Sequence, residues 1–500
     1  MAQHDPVPAG PAVLAGASAP TDPDGPTDPD GPTDPDGPTG RLAAWLAGTT
    51  LADIPAEVRS RACHLLLDGV GCLLTGAQLP WSRIGVQAVT ALDDQGTSMI
   101  AGWDASTSAP SAAMLNSSFI QGFELDDYFP AAPVHANSLV LPALMATAGQ
   151  RPDTTGAQFL LGAILGYEVG PRVGLALHGG QMLSRGWHSG AVFGPPAAAA
   201  AAGSLYRLTA AGFEDALGIA ATQSCGLMSA QFESMVKRMQ HGFAARNGLY
   251  AAALAAAGYV GIKRVFERGY GGFLSVFGEG HDPDPAQIAA GLGIRWDTLR
   301  YGIKPYAAMA GLHAAIDAVL ALQAAAPIDP AQLTRIQVDV SDAAFQHGGF
   351  GITRPLAPIT AQMSLKYTAP VVILDHAALT DQYRPDRINR DDVWDLIART
   401  QVTHDPAFDD GAGSTYTTRV RLTTRDGGTR EQIVSHPRGG LGNPLADDEI
   451  IAKYQMLTEH IIDDDRRDAI QQAVLGIEHR PHGPRQLMKL LAAPVKGALA

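Results

Sequence analysis

From Ile54-Pro55 onward, apolar residues recur at helical spacing. Val58, Ala62, Leu65, Leu66, Gly69, Val70 and Leu73 share one face, and Pro55 sits in the first turn. Similar Ala/Leu-rich patterns recur to about residue 262, separated by Gly-, Pro- and Asp-rich turns. This span shows no strand alternation, so an all-helical domain is expected over 41–302. After about residue 300 the pattern changes. Arg335 to Ser341 alternates, with Ile336, Val338 and Val340 on one face. Tyr416 to Thr424 and Thr429 to Val434 flank Asp426-Gly427-Gly428, a hairpin signal, and Gln401 to Thr403 reads as a further strand. Helical patterns lie between them at His313 to Gln323, Ala361 to Asp375 and Asp391 to Arg399. A smaller α+β domain is therefore expected over 303–445. From Asp447 the spacing is helical again, through Ile450, Ile451, Tyr454, Leu457, Ile461 and Ile462. These helices, over 446–495, are expected to return to the first domain. The fold class is mostly α.

Residues 1–40 carry no such pattern. The unit TDPDGP occurs three times from Thr21 to Pro38. Its glycines are too sparse for collagen and its acids lack the spacing of a calcium loop. A disordered acidic tail without a catalytic role is expected. The remaining chain, in 500 residues that are 46% hydrophobic, is long enough for two domains. A net charge of −14 argues against a general nucleic-acid binder, yet leaves room for a local cationic pocket. Cys63, Cys72 and Cys225 form no CxxC pair, so free thiols in a reducing cytoplasm are expected, with no iron–sulfur cluster or zinc site. No signal peptide is evident, and the alanine run 197–202 is flanked by breakers and is no membrane span.

Five stretches hold candidate chemistry. Ser224 to Gly248 reads as an apolar segment, a polar turn with Lys237, Arg238 and His241, and the start of another helix. A cationic pair between close-packed segments is costly to bury unless an anion meets it. Phe123 to His135 gathers Glu124, Asp126, Asp127 and His135 around a proline-containing loop. Gly186 to Gly190 sets His188 beside Trp187 with glycines on both sides. Lys304-Pro305-Tyr306 lies at the domain junction, a favoured place for a ligand cleft. Lys366-Tyr367 lies inside an apolar helix, where a tyrosine could donate a proton. Taken singly, each also reads as a surface loop, a hinge or a core side chain. No HExxH, no GxGxxG after a strand and no Walker loop occurs.

Taken in order, ELDDY…APVH, GWHSGAVFG, GLMSAQ…MVKRMQHGFAARNG, YGGFL, IKPYA…H and AQMS…Y resemble the MmgE/PrpD family, which includes 2-methylcitrate dehydratases and cis-aconitate decarboxylases. The likeness runs from about Arg41 to the C-terminal APVK, and is greatest to the fungal decarboxylases. The resemblance implies a helical main domain, a smaller lid domain with the cleft between them, a homodimer and no cofactor. By position it implies catalytic roles for His135, His188, Lys237, Lys304 and Tyr367, and substrate binding by Glu124, Tyr128, Arg238 and His241. Glu124 stands where other members have aspartate, and Tyr128 where the animal decarboxylases have threonine.

These implications fit a cytoplasmic carboxy-lyase taking cis-aconitate to itaconate through an enediolate-like intermediate. The lysines and histidines would clamp a small tricarboxylate, and His135 or Tyr367 would supply the proton. The same residue set also suits a 2-methylcitrate dehydratase, or another lyase or isomerase on a small polycarboxylate. A tricarboxylate-binding protein without turnover is the reading from a different class. No metal, nucleic-acid or membrane partner is expected.

Overall fold

The computed structural model describes residues 30–232, 234–409 and 416–499. The fold is mostly helical, with one small hairpin and one four-stranded sheet. Helix α1 (Pro38–Gly48) is followed by α2 (Ala56–Ala77) and α3 (Pro80–Leu92). A hairpin of β1 (Ser98–Ile100) and β2 (Ala105–Thr107) precedes α4 (Ala109–Ile120). The helical region is thus not free of strands; three-residue strands are too short to show alternation.

The core is built from α5 (Ala136–Gln150), α6 (Gly156–Ala176), α7 (Gly179–Ser184), α8 (Ser189–Tyr206), α9 (Ala210–Ala221) and α10 (Val236–Ala256). Helix α10 packs on α8, α4 and α9, and α6 packs on α8. Small side chains make this possible: a Cβ on Gly248 would stand 2.4 Å from the Ala198 Cβ and 2.6 Å from the Pro195 carbonyl. Helix α6 is long and apolar enough to cross a membrane, but 89% of its apolar window is buried within this core.

Two short helices, α11 (Phe273–Phe277) and α12 (Ala286–Ala289), lead to α13 (His313–Ala325) and β3 (Leu333–Val340). Then come α14 (Asp342–Gly348), α15 (Pro358–Gln362), α16 (Leu365–Asp375), α17 (Pro385–Ile388), α18 (Asp391–Ile397) and β4 (Thr400–His404). The expected single helix over 361–375 is broken after Gln362, where Ser364 adopts extended backbone. The hairpin strands are β5 (Thr418–Thr424) and β6 (Thr429–Val434). The sheet order is β4-β3-β5-β6, with β3 parallel to β4 and antiparallel to β5. Ile336, Val338 and Val340 are buried, as their alternation predicts. Gln337 and Asp339, on the other face, are buried too, bonded to Thr403 and Arg419.

The last helices are α19 (Asp447–Thr458), α20 (Asp464–Leu475) and α21 (Gly483–Ala492). Helix α19 packs on α2, and α21 packs on α5 and α6. At the other end, order begins earlier than Arg41. The third TDPDGP copy is structured: Thr33 donates its N–H and hydroxyl to Glu214 Oε2 at 2.9 and 3.0 Å, and just before it, in the second copy, the Asp30 carbonyl accepts the Ala211 N–H at 2.9 Å. Six residues on, Thr39 directs the same two groups to Glu267, at 3.3 and 2.5 Å. Polar residues with nothing apolar to bury are held here by two acids. The part of the expected tail before residue 30 lies outside the described residues.

Candidate active site

Three sequence-distant segments meet in one cavity. The first is the acidic loop after α4. Asp127 accepts the N–H groups of Ala136 and Asn137 at 2.8 and 3.0 Å, satisfying the free start of α5. Burial, Asp126 and Asp68 push the Asp127 carboxyl up to about 8. That anchorage sets His135, at the mouth of α5, with Nδ1 3.1 Å from Asp126 Oδ2. Tyr128 exchanges backbone hydrogen bonds with Gly302, at 2.9 and 2.8 Å. The bridge draws residues 302–304 alongside the loop and delivers Lys304 to Glu124.

The second segment is the start of α10. Lys237, Arg238 and His241 are not in a turn: they occupy its first two turns and are buried. Lys304 is buried as well. Lys237 Nζ bonds to Glu124 Oε1, and Lys304 Nζ lies 3.2 Å from Glu124 Oε2 and 3.6 Å from Asp126 Oδ1. The anion that a buried cationic pair requires is Glu124 itself. Burial alone would raise the Glu124 carboxyl, but Lys237 and Lys304 hold it well below the usual range. Asp126 is likewise lowered against burial by His135 and Lys304. Burial pulls Lys237 below an ordinary lysine despite Glu124, whereas Glu124 and Asp126 outweigh burial at Lys304 and raise it.

The third segment is Gly186 to Ser189. The His188 N–H donates to the Gly226 carbonyl and the Met228 N–H to the Gly186 carbonyl, at 3.1 and 2.8 Å. This pairing places His188 and Met228 in the cavity wall. Burial and the nearby Lys237 push His188 down to about 3, so it is a neutral imidazole. His241 lies behind His188 and His135, with ring centres 5.1 and 5.4 Å away. Its Nδ1 is 2.6 Å from Ser138 Oγ. Gly190 makes room for that ring, since a Cβ there would stand 2.2 Å from His241 Nε2.

The cavity and its open mouth together span about 680 Å³. Of the candidate residues, Glu124, Tyr128, His135, His188, Lys237 and Lys304 line it. Three expected residues do not reach it. Tyr367 is fully buried and its hydroxyl donates to the Gln382 carbonyl, so it is a core tyrosine. Arg238 lies 4.5 Å over the Trp81 ring and bonds to Gln362 Oε1 at 2.9 Å, with burial pulling it down to about 10. His241 is fully buried behind the wall. Sequence reasoning misses Met228, Met309, Ala343, His347, Met363 and Tyr416, which also line it. His347 and Tyr416 are of types that a search for chemistry would single out, and Gly348-Gly349 after His347 is a signal of the kind that marks His188.

The set combines two lysines, a carboxylate–imidazole pair and a neutral imidazole beside an apolar wall. It can hold a small polyanion, stabilise negative charge that develops near the lysines, and deliver a proton. Among the described residues, no group of three or more His, Cys, Asp or Glu side chains is arranged to hold a metal ion.

The MmgE/PrpD N-terminal domain matches residues 40–286, and the MmgE/PrpD C-terminal domain matches residues 306–478. The chain is 42% identical over 453 residues to the cis-aconitate decarboxylase-like protein oryM of Aspergillus oryzae, covering 87% of this chain and 94% of that one. It is 40% identical over 471 residues to a cis-aconitate decarboxylase of Aspergillus terreus, covering 91% and 96%. A human cis-aconitate decarboxylase is 24% identical over 450 residues, covering 87% and 91%. With both family domains matched in order and similarity sustained along almost the whole of these relatives, the chain belongs to the MmgE/PrpD family.

Proposed function

We propose that this protein is a cofactor-free carboxy-lyase that converts cis-aconitate to itaconate and carbon dioxide. One observation carries the reading: 40% identity to the Aspergillus terreus decarboxylase over 96% of that protein's length. The cavity chemistry supports it. The substrate carboxylates engage Lys237 and Lys304. The bond between the methylene carbon and its carboxylate breaks and carbon dioxide leaves. The electron pair shifts through the double bond onto the far carboxylate, giving an enediolate next to the lysines. His135, oriented by Asp126, donates a proton to the former vinylic carbon. His188, neutral in its buried setting, serves as a hydrogen-bonding partner for substrate rather than as the acid.

The test is direct. Purified protein given cis-aconitate releases carbon dioxide and forms itaconate in equal amounts, and EDTA leaves the rate unchanged. Turnover of 2-methylcitrate with no product from cis-aconitate would replace this reading by the dehydratase. Tight binding of either acid without turnover would make the protein a binder.

The working unit in this proposal is a cytoplasmic homodimer. Val236, Tyr250 and Leu254 are exposed along one side of α10, with Leu227 and Met235 beside them, and such a stripe suits a second copy. Tyr250→Glu with Leu254→Glu is expected to yield monomers in sedimentation. The cytoplasmic assignment rests on three free cysteines, and microscopy of the tagged full chain in its source cells tests it.

A further inference from the structure

The Glu124–Lys237–Lys304 cluster is assembled from three segments, none of which is close to another in sequence. Backbone geometry at Glu124 does not hold it there by default, because Glu124 takes the left-handed conformation, φ 56°, that a non-glycine residue avoids. Something must fix the neighbouring backbone. One side chain touches all three segments. Gln362, the last residue of α15, is fully buried. Its Nε2 donates to the Phe123 carbonyl at 2.8 Å, immediately before Glu124. The same nitrogen donates to the Ala307 carbonyl at 2.9 Å, three residues after Lys304. Its Oε1 accepts from Arg238 Nη2 at 2.9 Å, immediately after Lys237. Its own carbonyl accepts the N–H of Met309, a cavity residue, at 3.0 Å.

We infer that Gln362 is the positioning residue that sets the register of Glu124, Lys237 and Lys304. It touches none of the reacting atoms and acts through the backbone of its partners. The amide head suits the task chemically: two N–H donors face two carbonyls, and one oxygen faces a guanidinium. A carboxylate of the same length would turn acceptors on two carbonyls, and an apolar side chain would leave all three partners unmet. The role rests on the proposed decarboxylation only for its turnover readout. The ionisation of the cluster is a second readout that needs no substrate.

The consequence has a definite sign. Burial raises Glu124 and lowers Lys237, and each is held charged by the other. If the register slips, Glu124 titrates at higher pH and Lys237 at lower pH. The window in which both are charged narrows from both sides.

The test compares Gln362→Met with Gln337→Met, a buried glutamine of β3 that bonds Asp339 and Thr403 in the sheet. Gln362→Met is expected to lower kcat/KM about 10²-fold, the scale of a small misplacement of reacting groups. Both limbs of its pH–rate profile move inward, and the pH at which an amine-directed reagent labels Lys237, read by mass spectrometry, moves down. Gln337→Met loses stability with an unmoved profile and unmoved labelling. If Gln362→Met does not fold, Gln362→Asn is read in its place, since it keeps the amide but falls short of the three partners. Labelling and profile both matching wild type in a folded variant would overturn the inference, whatever the change in rate. Should the wild type prove inactive on cis-aconitate, the proposed reaction fails while the labelling shift still decides the role of Gln362.

Discussion

Lys237 and Lys304 share one carboxylate in a buried setting, so removing either has two effects at once. Lys237→Ala or Lys304→Ala is expected to lower kcat/KM with cis-aconitate about 10²-fold or more, since each lysine stabilises charge at the reacting end of the substrate. It also leaves Glu124 short of a partner, and stability falls by about 3 kcal/mol. A lysine in open cleft water would cost activity alone, so urea unfolding beside kinetics separates the two pictures. Tyr367→Phe is expected to behave in the opposite manner. The hydroxyl bonds the Gln382 carbonyl and the ring packs beside that of Tyr383, so kcat/KM stays near wild type while stability drops by about 1 kcal/mol. A large fall in turnover with Tyr367→Phe would return that residue to the chemistry.

Among the elements, α19 reaches the acidic loop of the site from far along the chain. Lys453 on α19 is buried and bonds Asp68 of α2 at 2.5 Å and the Leu125 carbonyl at 2.6 Å, between Glu124 and Asp126. Lys453→Met is expected to cost about 3–5 kcal/mol by stranding Asp68, and Asp68→Asn in the same chain to recover part of that loss in thermal unfolding. Additive losses in the double variant would show the pair to be uncoupled. Elements of this kind were readable where a regular period ran long enough. The buried stripe Ile336, Val338 and Val340 follows directly from alternation, and Thr429–Val434 from the Asp426-Gly427-Gly428 turn before it. The three-residue strands β1 and β2 offer no period to detect. Lys237-Arg238 looks like a turn because charged residues rarely sit in a buried first helical turn, and only tertiary contact with Glu124 reverses that. Motif resemblance located His135, His188, Lys237 and Lys304 within the cavity, yet placed Tyr367 there too, because resemblance carries no side-chain direction. Met228, His347 and Tyr416 come from segments that share nothing until the chain folds.

Across the whole molecule, two predictions concern stability. His188 and His313 are buried neutral; each titrates at about 3 in the fold against 6.5 when free. Below pH 6.5 the unfolded chain therefore binds more protons than the native one, and stability falls as pH falls. Between pH 6.5 and 5, His313→Gln should flatten the slope of unfolding free energy relative to wild type by up to about 1.4 kcal/mol per pH unit. An unchanged slope would mean that His313 is protonated in the native protein. The second prediction concerns the N-terminal segment. Deleting residues 1–29 should leave unfolding unchanged, whereas deleting 1–38 removes both Thr33 bonds to the buried Glu214 and costs about 2 kcal/mol. Equal stability of the two truncations would show that this contact is idle. The docked copy also bears on how this end of the chain can change over generations. Because all three TDPDGP units are identical, whichever copy adjoins Thr39 presents a threonine six residues before it. Replication slippage that adds or drops whole units therefore keeps the Glu214 seat filled until the last copy is gone. An insertion or deletion out of step with six, between that threonine and Thr39, empties the seat at once. Selection can hold the phase of the repeat while leaving its copy number free to drift.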